Sequence, residues 1–211
     1  GDLAQDGSVA AYQYFRQATA ALAPPARWIP GNHDDVQQMR EAAIQSRLME
    51  PRVDVGNWRI TLLHSNVLNK SHGYLEDDQL QRLAQSLSEA PERHHLVCLH
   101  HHPVPVGCQW IEPIGLLNAD AFWAVVDRFP QAKAVLWGHV HQPFDQQRKA
   151  VRLLATPSTC FQFAPHSEDF KVSSEAPGYR WLQLNPDGTL HTGISRVAHF
   201  DFEPDYSQDK Y

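Results

Sequence analysis

The sequence predicts an α/β domain, and three observations carry that prediction. Strand-like and helix-like apolar patterns alternate along the chain. Two short continuous apolar runs, at residues 96–99 and 134–137, have the length and composition of buried strands. Each runs directly into a histidine motif, as a strand does when it delivers side chains to a ligand-binding edge. With 211 residues and 42% hydrophobic content, the chain suits a single domain (1–211) with a sizeable core. No internal repeat or low-complexity linker divides it.

Ser8 is placed to cap a helix running through Ala10, Tyr14, Phe15, Ala18 and Leu22, ended by Pro24-Pro25. A short strand at Arg27-Trp28-Ile29 leads into Pro30-Gly31-Asn32-His33-Asp34, and a second helix follows. Residues 53–55 and 59–63 read as paired strands across Gly56-Asn57. Leu80, Leu83 and Leu87 give residues 76–87 helical spacing. The buried strand at 96–99 delivers His100, His101 and His102. A loop with Pro103, Pro105 and Gly107 comes next, then a helix over about 118–129. The strand at 134–137 ends at Gly138-His139-Val140-His141. Residues 152–155, 179–184 and 189–197 read as strands of a second sheet, the last two joined by a turn at Pro186-Asp187-Gly188. Trp28, Trp58, Trp123, Trp137 and Trp181 sit in apolar segments and are expected in the core. The polar stretch 203–211 is expected to be a loose tail.

Charge and composition narrow the function. Net charge is −6 and no Lys/Arg cluster exceeds two residues, which disfavours a nucleic-acid partner. A small phosphate ester stays compatible, because bound cations reverse the local field. No apolar run reaches about 18 residues, so no membrane span is expected. The chain opens directly into Gly1-Asp2-Leu3, so no leader is expected. Three sparse cysteines fit a reducing compartment, the cytoplasm by default. Thirteen histidines, about twice ordinary usage, point toward metal.

Gly1-Asp2, Gly31-Asn32-His33-Asp34, His101-His102-Pro103 and Gly138-His139-Val140-His141 all fall at or just after strand ends. Carboxylate, amide oxygen and imidazole together suit Mn²⁺, Fe²⁺ or Zn²⁺, and a carboxylate such as Asp2 can bridge two ions. Singly, each motif has an ordinary reading. Gly-Asp is a common turn, and Asn32 or Asp34 could cap the following helix. Strand alternation allows only part of His100, His101 and His102 to face one site, and His101 is the choice. Trp110 is a base-stacking candidate or a surface aromatic; Asn118 is a base contact or, preferably, a helix cap. His94 and His95 read as solvated, Asp6 as support for the Gly-Asp loop, and His64 as structural. The motifs in combination outweigh these readings.

The order Gly-Asp, Gly-Asn-His-Asp, His-His-Pro, Gly-His-x-His resembles the calcineurin-like metallophosphoesterase superfamily. Within it the chain is similar to bacterial class III 3′,5′-cyclic-AMP phosphodiesterases of the CpdA type. The closer likeness lies in Gly1-Asp2-Leu3-Ala4-Gln5-Asp6, Leu99-His100-His101-His102-Pro103 and Leu154-Ala155-Thr156-Pro157-Ser158-Thr159-Cys160. The resemblance implies a four-layer α-β-β-α sandwich of two mixed sheets flanked by helices. It implies two divalent ions, Fe²⁺ or Mn²⁺ ahead of Zn²⁺. Asp2 would bridge them; Asn32, His101 and His139 would complete the second ion's shell, and His141 would bind the first. His33 would be the catalytic group, protonating or stabilising the leaving oxygen, with Asp34 orienting its ring; Asn32, His33 and His141 would contact substrate. The implied reaction is attack by a metal-bound hydroxide on cyclic AMP, or a related small phosphodiester, giving 5′-AMP. A monomer or weak homodimer is expected. The family's first motif, Asp-x-His, has no counterpart here, so the N-terminal strands are expected to be missing and the first ion to keep only Asp2 and His141. A different metal-dependent phosphodiesterase or phosphomonoesterase, or a non-catalytic scaffold, are the other readings of the same fold.

Overall fold

The computed structural model describes residues 1–22 and 26–199. Four helices are α1 (Val9–Ala18), α2 (Val36–Ala42), α3 (Asp77–Glu89) and α4 (Ala119–Val126). The strands are β1 (Arg52–Val55), β2 (Trp58–Leu62), β3 (His94–Leu99), β4 (Ala132–Trp137), β5 (Phe144–Arg148), β6 (Val151–Ala155), β7 (Gln162–Phe163), β8 (Val172–Ser173), β9 (Gly178–Leu184) and β10 (Leu190–Arg196). Six of them form a mixed sheet in the order β1-β2-β3-β4-β6-β5. Its centre, β2-β3-β4-β6, is parallel, and the two edges are antiparallel. The C-terminal ends of the parallel strands therefore lie along one edge, where α/β sheets bind ligands.

Strand alternation gives each face of this sheet a separate core. Leu83 and Leu87 of α3, with Phe122, Trp123 and Val126 of α4, pack on Val97, Leu99, Val135, Trp137 and Leu153. On the opposite face, Trp58, Leu96 and Ala134 meet Leu182, Leu184 and Leu190 from the β9–β10 sheet. The Trp58 indole N–H donates to Asn185 O (2.7 Å), fixing the two sheets in register. Two sheets face to face, with α3 and α4 on the outer face of the first, make a mixed α/β sandwich. α1 and α2 pair in a smaller core of Tyr12, Trp28, Met39 and Ala42.

Ser8 caps α1, its hydroxyl accepting from Ala11 N, but the helix ends at Ala18 and not near Leu22. The Pro24-Pro25 stop and the 203–211 tail lie outside the described residues. Arg27-Trp28-Ile29 is not a strand; Trp28 N–H donates to Leu48 O (2.6 Å) and no described strand pairs with it. Residues 152–155 belong to the first sheet, because β6 is buried on both faces between β4 and β5. Trp181 is 43% exposed: Leu182 and Leu184 point at the sheet, so period two turns Trp181 outward. Asn118 does not cap α4. Its amide pairs with the Leu75 backbone, Oδ1 accepting from N and Nδ2 donating to O (2.9 and 2.8 Å). His95 is buried with Nε2 2.9 Å from Ala90 O, not solvated. Among the described residues no helix is long and apolar enough to cross a membrane.

Candidate metal centre

The site begins with Asp34. Its carboxylate accepts from the amides of Leu3 (3.0 Å), Ala4 (3.2 Å) and Gly31 (2.8 Å) and from the Tyr12 hydroxyl (3.0 Å). One buried side chain thus ties the Gly-Asp loop to the Gly-Asn-His-Asp loop. The helix that follows is capped by Asp35, which accepts from Gln37 N and Gln38 N, so neither Asn32 nor Asp34 is its cap. Asp6 is a local turn group, Oδ1 accepting from Ser8 N (3.0 Å).

Asp2 Oδ1 accepts the His33 amide (2.9 Å). A Cβ at Gly31 would overlap that oxygen, so glycine is required there for the two loops to touch. Asp2, His139 and His141 all have left-handed backbone (φ 55°, 65° and 46°). In a non-glycine residue that conformation costs on the order of 1 kcal/mol, and its concentration here marks strain held at a functional site.

β3 stops at Leu99, so strand alternation no longer governs the three histidines after it. All three are buried. His100, expected to pack or to support the ligands, lies inside the site: Nε2 is 3.0 Å from Asp2 Oδ2 and 3.1 Å from Asn32 Oδ1. Together His100, His101 and His139 bring ligand atoms within 4.8 Å of one another. Ser65 Oγ lies 2.8 Å from His101 Nδ1, which leaves Nε2 facing the cluster. His101 Nε2 and both nitrogens of His139 are buried with no hydrogen-bond partner.

Electrostatics favour a cation here. Burial works to raise the Asp2 pKa, yet His100 and the His33 amide hold it well below the usual carboxylate range. Burial, then the neighbouring histidines, keep His101 and His139 well below the ordinary histidine value, so both rings are neutral at pH 7, the form that can bind a cation. Burial likewise pushes His141 down to about 4. Its ring stacks on Phe163 (4.3 Å, 6°), and Trp110 meets Phe163 edge-on (4.8 Å, 89°). Trp110 is therefore part of an aromatic cluster beside the site. A buried anion with unpartnered imidazole nitrogens costs free energy that a divalent ion removes, so the residues fit a metal.

His64 lies two residues beyond the end of β2, next to Ser65. Burial, aided by Arg82 and Arg40, pushes its imidazole from 6.5 to about 4. The unfolded chain takes up this proton first, so the stability is complete above about pH 6.5 and lost as pH falls toward 4. At pH 5 this single group is expected to cost about 2 kcal/mol. Urea midpoints of chelated protein at pH 7.5 and 5, for the chain and His64→Asn, check it; an equal drop in both would refute it.

Residues 1–143 match the calcineurin-like phosphoesterase family. The chain is 53% identical over its full length to 78% of the 3′,5′-cyclic adenosine monophosphate phosphodiesterase CpdA of Pseudomonas aeruginosa. It is 46% identical, again over its full length and 78% of the relative, to CpdA of Escherichia coli K12. A dimetal phosphatase from Danio rerio shares the fold with TM-score 0.59 at 16% identity, over 89% of this chain and 75% of that one.

Proposed function

The chain belongs to the calcineurin-like phosphoesterase family, and on that footing we propose that it hydrolyses 3′,5′-cyclic AMP to 5′-AMP. The observation that carries the reading is the buried cluster of His100, His101 and His139 at the sheet edge, with Asp2 Oδ2 3.0 Å from His100 Nε2 and with His101 Nε2 and both His139 nitrogens unpartnered. It sits in a chain whose full-length relatives are named as cyclic-AMP phosphodiesterases. Asp2, Asn32, His101 and His139 would hold one divalent ion, Asp2 and His141 the other, with Fe²⁺ or Mn²⁺ preferred over Zn²⁺. Such ions neutralise phosphoryl charge and acidify a water.

The chain's own residues do the rest. His33, its amide fixed on Asp2, would place its ring to protonate or stabilise the leaving 3′ oxygen. Asn32 and His141 would border the phosphate, and the strained backbone at His139 and His141 would fix the angle of both rings. The acidic balance favours a small diffusible ester over nucleic acid, and the free cysteines fit a cytoplasmic setting; the protein would act there as a monomer or weak homodimer without a membrane partner. Turnover of cyclic AMP, compared with that of an aryl phosphodiester, tests the reading. The expected result is preferred cyclic-AMP hydrolysis that a chelator abolishes and Mn²⁺ restores. Hydrolysis that persists in chelator, or a preference for the aryl ester, would overturn it.

A further inference from the structure

Glu112 stands ten residues beyond His102, outside every motif, yet its carboxylate is among the most engaged in the fold. Oε1 accepts the amides of Val106 (2.8 Å), Gly107 (2.8 Å) and Cys108 (3.3 Å), drawing the loop from 103 to 115 into one turn. Oε2 lies 3.7 Å from His102 Nε2. The loop is fastened at its ends as well: Leu116 N–H donates to His102 O (2.9 Å), and the Trp123 indole to Pro103 O (2.9 Å). Glu112 gathers its middle, which carries Trp110 and is also held by Gln109 N–H donating to Ser167 O (3.0 Å).

His102 is buried, and neither ring nitrogen has a hydrogen-bond partner. Its place is set by neighbours on two sides. Its ring stacks on His139 (5.8 Å between centroids, 16°), and a Cβ at Gly115 would come within 2.6 Å of Nε2. Glu112 thus reaches the Gly-His-x-His corner twice. One route is His102 to His139; the other runs through the loop and Trp110 to Phe163 and His141.

We propose that Glu112 is a positioning residue for the metal centre, holding His102 and the 103–115 loop against His139 and His141. The inference rests on the metal reading above. Groups that orient ligands from behind typically change metal affinity by about 10- to 100-fold when removed.

The test measures Mn²⁺ affinity and the ring-proton resonances of His102 and His139 in three full-chain variants. Glu112→Ala is expected to weaken Mn²⁺ binding by about tenfold or more and to shift both sets of resonances in the metal-free protein. Glu112→Gln, whose carbonyl oxygen still accepts the three amides, restores most of the affinity. Gly115→Ala leaves Glu112 intact but crowds His102, and it reproduces the loss. A folded Glu112→Ala or Gly115→Ala chain with unchanged affinity and resonances overturns the proposal. If Glu112→Ala does not fold, Gly115→Ala decides in the same way. If the unaltered chain binds no Mn²⁺, the metal reading fails; unshifted ring resonances in the variants would then be needed to overturn the role of Glu112 as well.

Discussion

His101→Ala is expected to lower cyclic-AMP turnover by about a thousandfold or more, an effect of roughly 4 kcal/mol on the barrier. The physical reason is the single free nitrogen of that ring. Ser65 engages Nδ1, so Nε2 alone faces Asp2, His100 and His139. Alanine removes the donor without replacing it, and water in the vacated space holds a cation far less tightly than imidazole. Ser65→Ala keeps the ring but frees its orientation, and a smaller loss of about 10- to 100-fold is expected. Steady-state kinetics in saturating Mn²⁺ measure both. Equal losses in the two variants, or none, would contradict the assignment.

Asp34→Ala has the largest expected effect on stability. It strips the acceptor from three amides and the Tyr12 hydroxyl in a buried setting. Each unsatisfied group costs about 1–3 kcal/mol, and the costs are not additive; an overall loss of about 3–5 kcal/mol is expected. For a chain of this size that lowers Tm by roughly 10 °C. Mn²⁺ affinity should fall with it, because Asp34 fixes the loop that carries Asp2. Tyr12→Phe removes one of the four donors and should cost only about 1 kcal/mol. Thermal unfolding followed by circular dichroism compares the two; a Tm for Asp34→Ala within 3 °C of the unaltered protein, itself a small fraction of the roughly 10 °C drop, would refute the loop-tying role.

Residues whose position follows from local rules were legible in the sequence. His101, His139 and His141 lie at one sheet edge because the apolar runs of β3 and β4 end just before them, and Gly31 lets the loop of Asn32 touch Asp2. Misplaced residues obey rules that a one-dimensional pattern does not contain. His100 enters the site because β3 ends at Leu99, one residue before alternation would have turned the ring away. β5 went unnoticed because an edge strand that reads Phe-Asp-Gln-Gln-Arg has no apolar alternation to reveal it. Asn118 pairs with the backbone of Leu75, 43 residues earlier, a contact set by tertiary packing alone. Ser65 acts on a ring 36 residues away, and Glu112 acts through a loop. Nothing in their local sequence distinguishes either from an ordinary surface hydroxyl or acid.

The account's central claim is that the buried cluster of His100, His101 and His139, with Asp2 beside it, is a divalent-cation site. Calorimetric titration of the chelator-stripped chain with Mn²⁺ at pH 7.5, beside the same titration of His101→Ala, tests it most directly. The account predicts at least one tightly bound ion in the chain and an affinity loss of about 100-fold or more in the variant. The variant should keep a cooperative thermal transition. No binding in the unaltered chain, or equal affinity in a folded His101→Ala chain, would contradict it.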